Sequence, residues 1–105
     1  TRPNICVYCA YHTFAGVIPR PFGGKADDQF PTNDLVMYKT MGRRATEITG
    51  YETASVFHEF KYDPKSSITG CGDEWAYDVL GIFGWTTEFW SPLRGTTTCS
   101  AAMVS

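Results

Sequence analysis

His12 is the first of two histidines in this 105-residue chain, and it stands where an apolar segment ends. The run from Asn4 to Thr13 is continuous, apolar and aromatic, which predicts a strand covered on both faces. Because α/β proteins bind ligands at the carboxyl ends of such strands, His12 is a candidate metal or substrate ligand. The alternative is a histidine that is hydrogen-bonded in the core or solvated at the surface. The second histidine, His58, lies beside Glu59, and its context favours a structural role.

Glu88 is a carboxylate inside a second apolar and aromatic run, Ile82 to Trp90, which we predict to be a buried strand. Burial of a carboxylate is costly unless the group is paired, neutralised or bound to a metal. Proteins keep such groups mainly where they do chemistry, so Glu88 is the second candidate site residue. The alternative is that its side chain points to solvent from an edge strand.

The cysteines offer a different kind of site. Cys6 and Cys9 form a C-x-x-C pair that His12 extends to C-x-x-C-x-x-H, and Cys71 or Cys99 would complete a structural zinc site. This alternative function is a small, non-catalytic metal-binding module. Against it, a strand turns Cys6 and Cys9 to opposite faces, and buried free cysteines are common core residues.

The helices and strands that position these residues are predicted from apolar spacing, helix-capping residues and turn-forming residues. Apolar residues at helical spacing predict a helix from Asp34 to Thr49, ended by Gly50. A short helix capped by Asp73 is predicted to run through Leu80, and a short strand to span Ala54 to Phe60. The segment from Ala15 to Pro31 holds three Pro and three Gly and is predicted to be a loop. Helices alternating with buried strands predict an α/β architecture, with these strands forming part of a larger sheet.

Composition limits the function classes. With 43% hydrophobic, 15% aromatic and 19% charged residues, the chain is predicted to fold as one domain rather than remain disordered. A net charge of -2 gives no argument for nucleic acid as a partner. No apolar run reaches the roughly 18 residues that cross a bilayer, so a membrane is not an expected partner either.

Two stretches together resemble the zinc carboxypeptidases of the carboxypeptidase A type. In that family a zinc-binding His ends a strand, and Pro, an aromatic residue and Gly follow nine residues later; here His12 is followed by Pro21-Phe22-Gly23. The second stretch is similar to the family's Asp-Trp-x-Tyr, Gly and Thr-x-Glu-apolar series. It comprises Glu74-Trp75-Ala76-Tyr77, Gly81 and Thr86-Thr87-Glu88-Phe89. The resemblance covers residues 4–91.

The resemblance implies a mixed β-sheet packed with helices, of which residues 1–93 are the C-terminal part. Residues 94–105 match nothing in the family and are expected to be an unstructured tail. The implied activity is hydrolysis of the C-terminal peptide bond of a peptide or protein by zinc-activated water. His12 would be one of the three protein ligands of a catalytic Zn²⁺, and Glu88 would be the general base.

Two substrate-binding residues are also implied. A family tyrosine that closes over the substrate has Tyr62 as its nearest counterpart, the alternative being a tyrosine that packs on the surface. Asp73 occupies the position that lines the specificity pocket, where a carboxylate favours substrates ending in Lys or Arg. The alternative is that Asp73 only caps the short helix.

The departures from the family are as informative as the matches. The family's other two zinc ligands lie in an upstream His-x-x-Glu, and neither His12 nor His58 has Glu three residues later. The arginines that hold the substrate's terminal carboxylate also lie upstream in the family. We therefore expect this chain alone to be incomplete and inactive. A further hypothesis is a non-catalytic remnant of such an enzyme.

Overall fold

A computed structural model describes residues 3–60 and 65–91. Four strands form one sheet: β1 (Val7–Thr13), β2 (Val17–Arg20), β3 (Glu52–Ser55) and β4 (Phe83–Phe89). Three α-helices accompany them, α1 (Thr32–Thr49), α2 (Val56–Glu59) and α3 (Gly72–Leu80), together with a 3-10 turn at Asp27–Gln29. Tyr62, Cys99 and the predicted tail 94–105 lie outside the described residues.

The sheet is mixed. Its strand order is β1-β4-β2-β3, with β1 parallel to β4, β2 parallel to β3, and β2 antiparallel to β4. The predicted α/β class, with a mixed sheet packed with helices, is thereby confirmed at that level. In the described part of the chain, no helix combines the length and apolar character needed to cross a membrane.

The two longer helices form where the sequence predicts them. α1 ends at Gly50, which adopts φ 78° and donates its N–H to Thr46 O. α3 ends at Gly81, which adopts φ 71°. Both C-caps use the left-handed conformation that glycine adopts without a Cβ penalty.

Strand β1 departs from its prediction. It was expected to be covered on both faces, yet every residue from Val7 to Thr13 is exposed except the half-buried Ala10. Among the described strands it pairs only with β4 and forms an edge of the sheet. An apolar run indicates that a segment forms a strand. Whether that strand is buried depends on which other elements of the fold pack against it.

The predicted loop from Ala15 to Pro31 and the predicted strand from Ala54 to Phe60 also differ from the structure. Strand β2 lies within the segment expected to be a loop. It pairs with β3 along its whole length, with Pro19 opposite Ala54, and with β4 only at Val17 and Glu88. Strand β3 stops at Ser55 because a reciprocal cap starts α2. Ser55 Oγ accepts the His58 N–H at 3.2 Å, and Glu59 Oε2 accepts the Ser55 N–H at 2.8 Å.

An aromatic core joins the helices to the sheet. Its buried members are Ile18, Phe22, Phe30, Tyr38 and Trp85. The hydroxyl of the fully buried Tyr38 accepts the Gly84 N–H at 3.0 Å, which fixes α1 against β4. On β4, Gly84 permits the start of α3 to approach closely, since a Cβ there would lie 2.7 Å from Asp73 Cα.

Candidate functional site

His12 and Glu88 are brought together by the pairing of β1 with β4. The parallel register makes them Cα partners, so their side chains leave the same face of the sheet. His12 Nδ1 lies 3.4 Å from Glu88 Oε1. The imidazole is 58% exposed, whereas the Glu88 side chain is only 11% exposed. The arrangement is an open imidazole beside a nearly enclosed carboxylate.

The buried position of Glu88 excludes one of its two sequence interpretations. Strand β4 is an inner strand, with β1 on one side and β2 on the other. The alternative in which Glu88 points to solvent from an edge strand is therefore wrong. The interpretation of His12 as a core histidine is also wrong, because its side chain is largely exposed.

Both residues line a cavity of about 370 Å³. Alternate residues of two strands form its floor, as the two-residue period of a strand requires. These residues are Tyr8, Ala10 and His12 on β1 and Thr86 and Glu88 on β4. The start of α3 supplies one wall with Cys71, Gly72 and Asp73, and Pro19, Val56 and Phe60 contribute apolar surface.

Asp73 is the third predicted site residue in this cavity. Only 2% of it is exposed, and its Oδ1 accepts the Glu74 N–H at 2.8 Å. Burial raises the pKa of the Asp73 carboxyl, and hydrogen bonds from the Glu74 N–H and the Thr86 hydroxyl partly oppose that effect. The predicted capping role is wrong, because the N-cap is Cys71 and Asp73 lies inside the first turn.

The close approach of α3 to β4 explains where Asp73 lies. Gly84 has no side chain, so the backbone of Asp73 packs directly on the strand. This contact points the carboxyl toward Thr86, two residues before Glu88 and on the same face of β4. A glycine in an apolar strand is the sequence signal for such an approach.

Neither zinc site suggested by the sequence is complete within the described residues. No three His, Cys, Asp or Glu side chains there are placed to hold a metal ion. Cys6 and Cys9 are exposed, free thiols, and Cys71 is a half-buried free thiol, so these residues and His12 form no structural zinc cluster. A catalytic Zn²⁺ takes three protein ligands. His12 offers only one, so the described residues alone do not fit that ion.

The described residues of the site place an imidazole, a largely buried carboxylate and a second buried carboxyl group around one cavity. Asp73 adds a carboxyl group that burial biases towards its neutral form. Two carboxyl groups in unlike surroundings are a common arrangement for acid and base roles.

Sequence reasoning missed several residues of the cavity. Thr86, Tyr8 and Ala10 share the faces of Glu88 and His12, and counting in steps of two from those residues finds them. Cys71 was considered only as a metal ligand, although it lines the cavity next to Asp73. No local signal in the sequence indicates that Val56 and Phe60 pack nearby.

Comparisons with known proteins add no assignment. No protein-family model matches this chain, and neither does any curated protein.

Proposed function

We propose that the cavity beneath β1, β4 and α3 is part of the catalytic site of a zinc carboxypeptidase of the carboxypeptidase A type. The reaction is hydrolysis of the last peptide bond of a peptide or protein. The observation that carries the proposal is the juxtaposition of His12 and Glu88, 3.4 Å apart at a cavity. These are the two residues to which the sequence resemblance gives the metal-binding and general-base roles.

In this proposal Glu88 removes a proton from the attacking water and delivers it to the leaving amine. Its burial keeps the carboxylate largely out of bulk solvent, and the His12 imidazole lies 3.4 Å away. A positioned general base typically contributes about 10² to 10⁴ in rate. Zn²⁺ would polarise the scissile carbonyl. His12 is the single ligand assigned to this sequence, and the other ligands belong to a segment outside it.

Substrate preference is assigned to Asp73. The carboxyl group lines the cavity beside Thr86, and a Lys or Arg side chain entering the cavity would stabilise its ionised form against the effect of burial. We therefore propose that substrates ending in a basic residue are preferred. Tyr62 is proposed to close over the bound substrate.

The test uses the complete gene product, obtained by extending the coding sequence upstream and expressing the whole reading frame. We expect that extension to encode His-x-x-Glu and the protein to release C-terminal Lys faster than Phe. Glu88→Gln should lower kcat by about 10² to 10⁴, whereas the exposed Glu47→Gln should not. His12→Ala should lower the bound zinc. An unchanged kcat in Glu88→Gln would overturn the proposal.

The 105-residue chain by itself supplies a second test. It should neither retain one equivalent of zinc after dialysis nor hydrolyse peptides, because it provides one of the three ligands. Stoichiometric zinc together with peptidase activity in this chain would contradict the assignment of the missing ligands to another segment.

A further inference from the structure

A second cavity, of about 340 Å³, lies between α1 and the carboxyl ends of the parallel strands β2 and β3. It shares no lining residue with the cavity of His12 and Glu88. Its lining includes four basic side chains, Arg20, Lys39, Arg43 and His58, and two acidic ones, Asp27 and Glu59. The carboxyl ends of parallel strands are where α/β folds commonly bind ligands.

The acidic groups of this cavity are already engaged. Asp27 accepts two hydrogen bonds from the Arg20 guanidinium, at 2.9 and 2.8 Å, and this pairing lowers the pKa of its carboxyl. Glu59 Oε2 accepts the Ser55 N–H at 2.8 Å. Neither Lys39 nor Arg43 forms an ion pair with a carboxylate among the residues that the structure describes. Arg20, Lys39 and Arg43 therefore face the carboxylates of Asp27 and Glu59 in the lining, which leaves an excess of one positive charge on the α1 side of the cavity.

The placement of these cations is built into α1. Lys39 and Arg43 are four residues apart, so they lie on one face of the helix, where like charges repel. Between them, the buried Gly42 rests on β3, and a Cβ at that position would lie 3.0 Å from Thr53 Oγ1. The glycine lets α1 approach the sheet closely, and this position of the helix places Lys39 and Arg43 at the cavity. An anion held between them would remove the repulsion.

Neutral donors surround the same space. Ser55 Oγ accepts the His58 N–H, so its hydroxyl hydrogen is available to a guest. Thr53 is a second hydroxyl-bearing residue of the lining. His58 Nε2 accepts the Asp27 N–H at 3.1 Å, which leaves Nδ1 as the protonated nitrogen of the neutral ring. Two cations and two hydroxyls suit an anion with three or more acceptor oxygens better than a carboxylate with two.

We propose that this cavity binds a phosphoryl group, as phosphate or a small phosphate monoester, between Lys39 and Arg43 of α1 and the hydroxyls of Thr53 and Ser55. The site is independent of the proposed peptidase function, because the two cavities have no residue in common.

Calorimetric titration of the 105-residue chain with inorganic phosphate tests the proposal, with acetate as the carboxylate probe at matched ionic strength. Saturable phosphate binding is expected. Lys39→Gln and Arg43→Gln should each weaken it about tenfold, the usual effect of losing one charge-assisted hydrogen bond. Arg44→Gln is the matched control: it removes the same charge one residue away, where Arg44 pairs with Glu47 at 3.0 Å, and should leave affinity unchanged.

Equal affinity in all three variants, or acetate binding as tight as phosphate, would overturn the proposal. Amide chemical shifts of the unmodified chain provide a readout that does not depend on variant folding. Phosphate should shift the Gly42, Thr53 and Ser55 amides and leave the Glu88 amide unchanged. The absence of such shifts would equally exclude the site.

Discussion

Asp73 and Glu88 line one cavity but have different surroundings. Glu88 lies beside an exposed imidazole, whereas Asp73, the more deeply buried of the two, is packed between the start of α3 and β4. Desolvation disfavours the charged form of a carboxyl group, so the enclosed residue carries a free-energy cost when it ionises. That cost makes the stability of the fold depend on pH.

Asp73→Asn is expected to raise the free energy of unfolding at neutral pH. Because the folded-state pKa of Asp73 lies above its ordinary value of 3.8, the native state holds this proton more tightly than the unfolded state. The resulting stabilisation is fully present below about pH 3.8 and is lost as pH rises through the folded-state pKa. Asparagine cannot ionise, so its advantage should be largest near pH 7 and should vanish in acid. Thermal unfolding of both proteins from pH 3 to pH 7 measures the difference.

The exposed Asp78 provides the control, since its side chain is 50% exposed and lies 3.5 Å from Lys25 Nζ. Asp78→Asn should change stability little at any pH, as is typical of surface ion pairs. A constant difference between Asp73→Asn and the parent protein across the pH range would contradict the role given to burial.

Tyr38→Phe is expected to destabilise the fold by about 1–3 kcal/mol, the cost of leaving a buried donor unsatisfied. The Tyr38 hydroxyl accepts the Gly84 N–H inside the core, where water does not replace it. Tyr51→Phe is the matched change at the surface, because the Trp90 N–H that its hydroxyl accepts is exposed. Urea unfolding of both variants tests this. Equal losses of unfolding free energy would show that the buried hydrogen bond of Tyr38 contributes no more than the exposed one of Tyr51.

For single residues, the sequence identifies those whose polarity differs from that of their neighbours in the chain. Glu88 is conspicuous as a carboxylate in an apolar strand, and His12 as a polar end to an apolar run. Lys39 and Arg43 give no such signal, because basic residues on a helix look like any solvated face. Their significance depends on which carboxylates are already paired, and that pairing is decided by tertiary structure.

Among the elements, those with local stop signals are the predictable ones. Gly50 and Gly81 end α1 and α3 where the sequence places the ends, since a helix terminus depends on a few neighbouring residues. Strand β2 gives no strand signal in the sequence, because proline is depleted in strands, whereas its pairing with β3 is a tertiary contact. Likewise, the reciprocal cap of Ser55 and Glu59 turns the end of a predicted strand into α2.

The contact between α3 and β4 yields a prediction at this scale. Gly84→Ala should cost about 3 kcal/mol, the upper end for overpacking, because the added Cβ would meet the backbone of Asp73 rather than a flexible side chain. Gly50→Ala should cost only about 1 kcal/mol, since no atom lies within 4 Å and the penalty comes from the positive φ alone. Denaturant unfolding distinguishes the two. Similar costs would mean that α3 shifts away from β4 without loss.

For the molecule as a whole, the feature that most needs explanation is the exposure of the edge strand β1. It is an edge strand among the described elements, and its side chains are exposed on both faces. Tyr11 is 70% exposed and Val7 45%. A flat apolar edge presents unpaired backbone groups that template pairing with another chain. The fold class was predictable from the alternation of helices and strands along the sequence. Whether a given strand is buried was not, because that depends on the complete tertiary structure.

We therefore expect the purified chain to self-associate through β1. Tyr11→Lys should reduce association, because a lysine on an edge strand makes the approach of a second strand unfavourable. Ile48→Lys is the matched control: its side chain is also 70% exposed and gains the same charge, but it lies on α1. Sedimentation velocity across a concentration series should show a lower average mass for the Tyr11 variant alone. An equal reduction by both variants would attribute the association to net charge, and no reduction by either would place the contact elsewhere on the molecule.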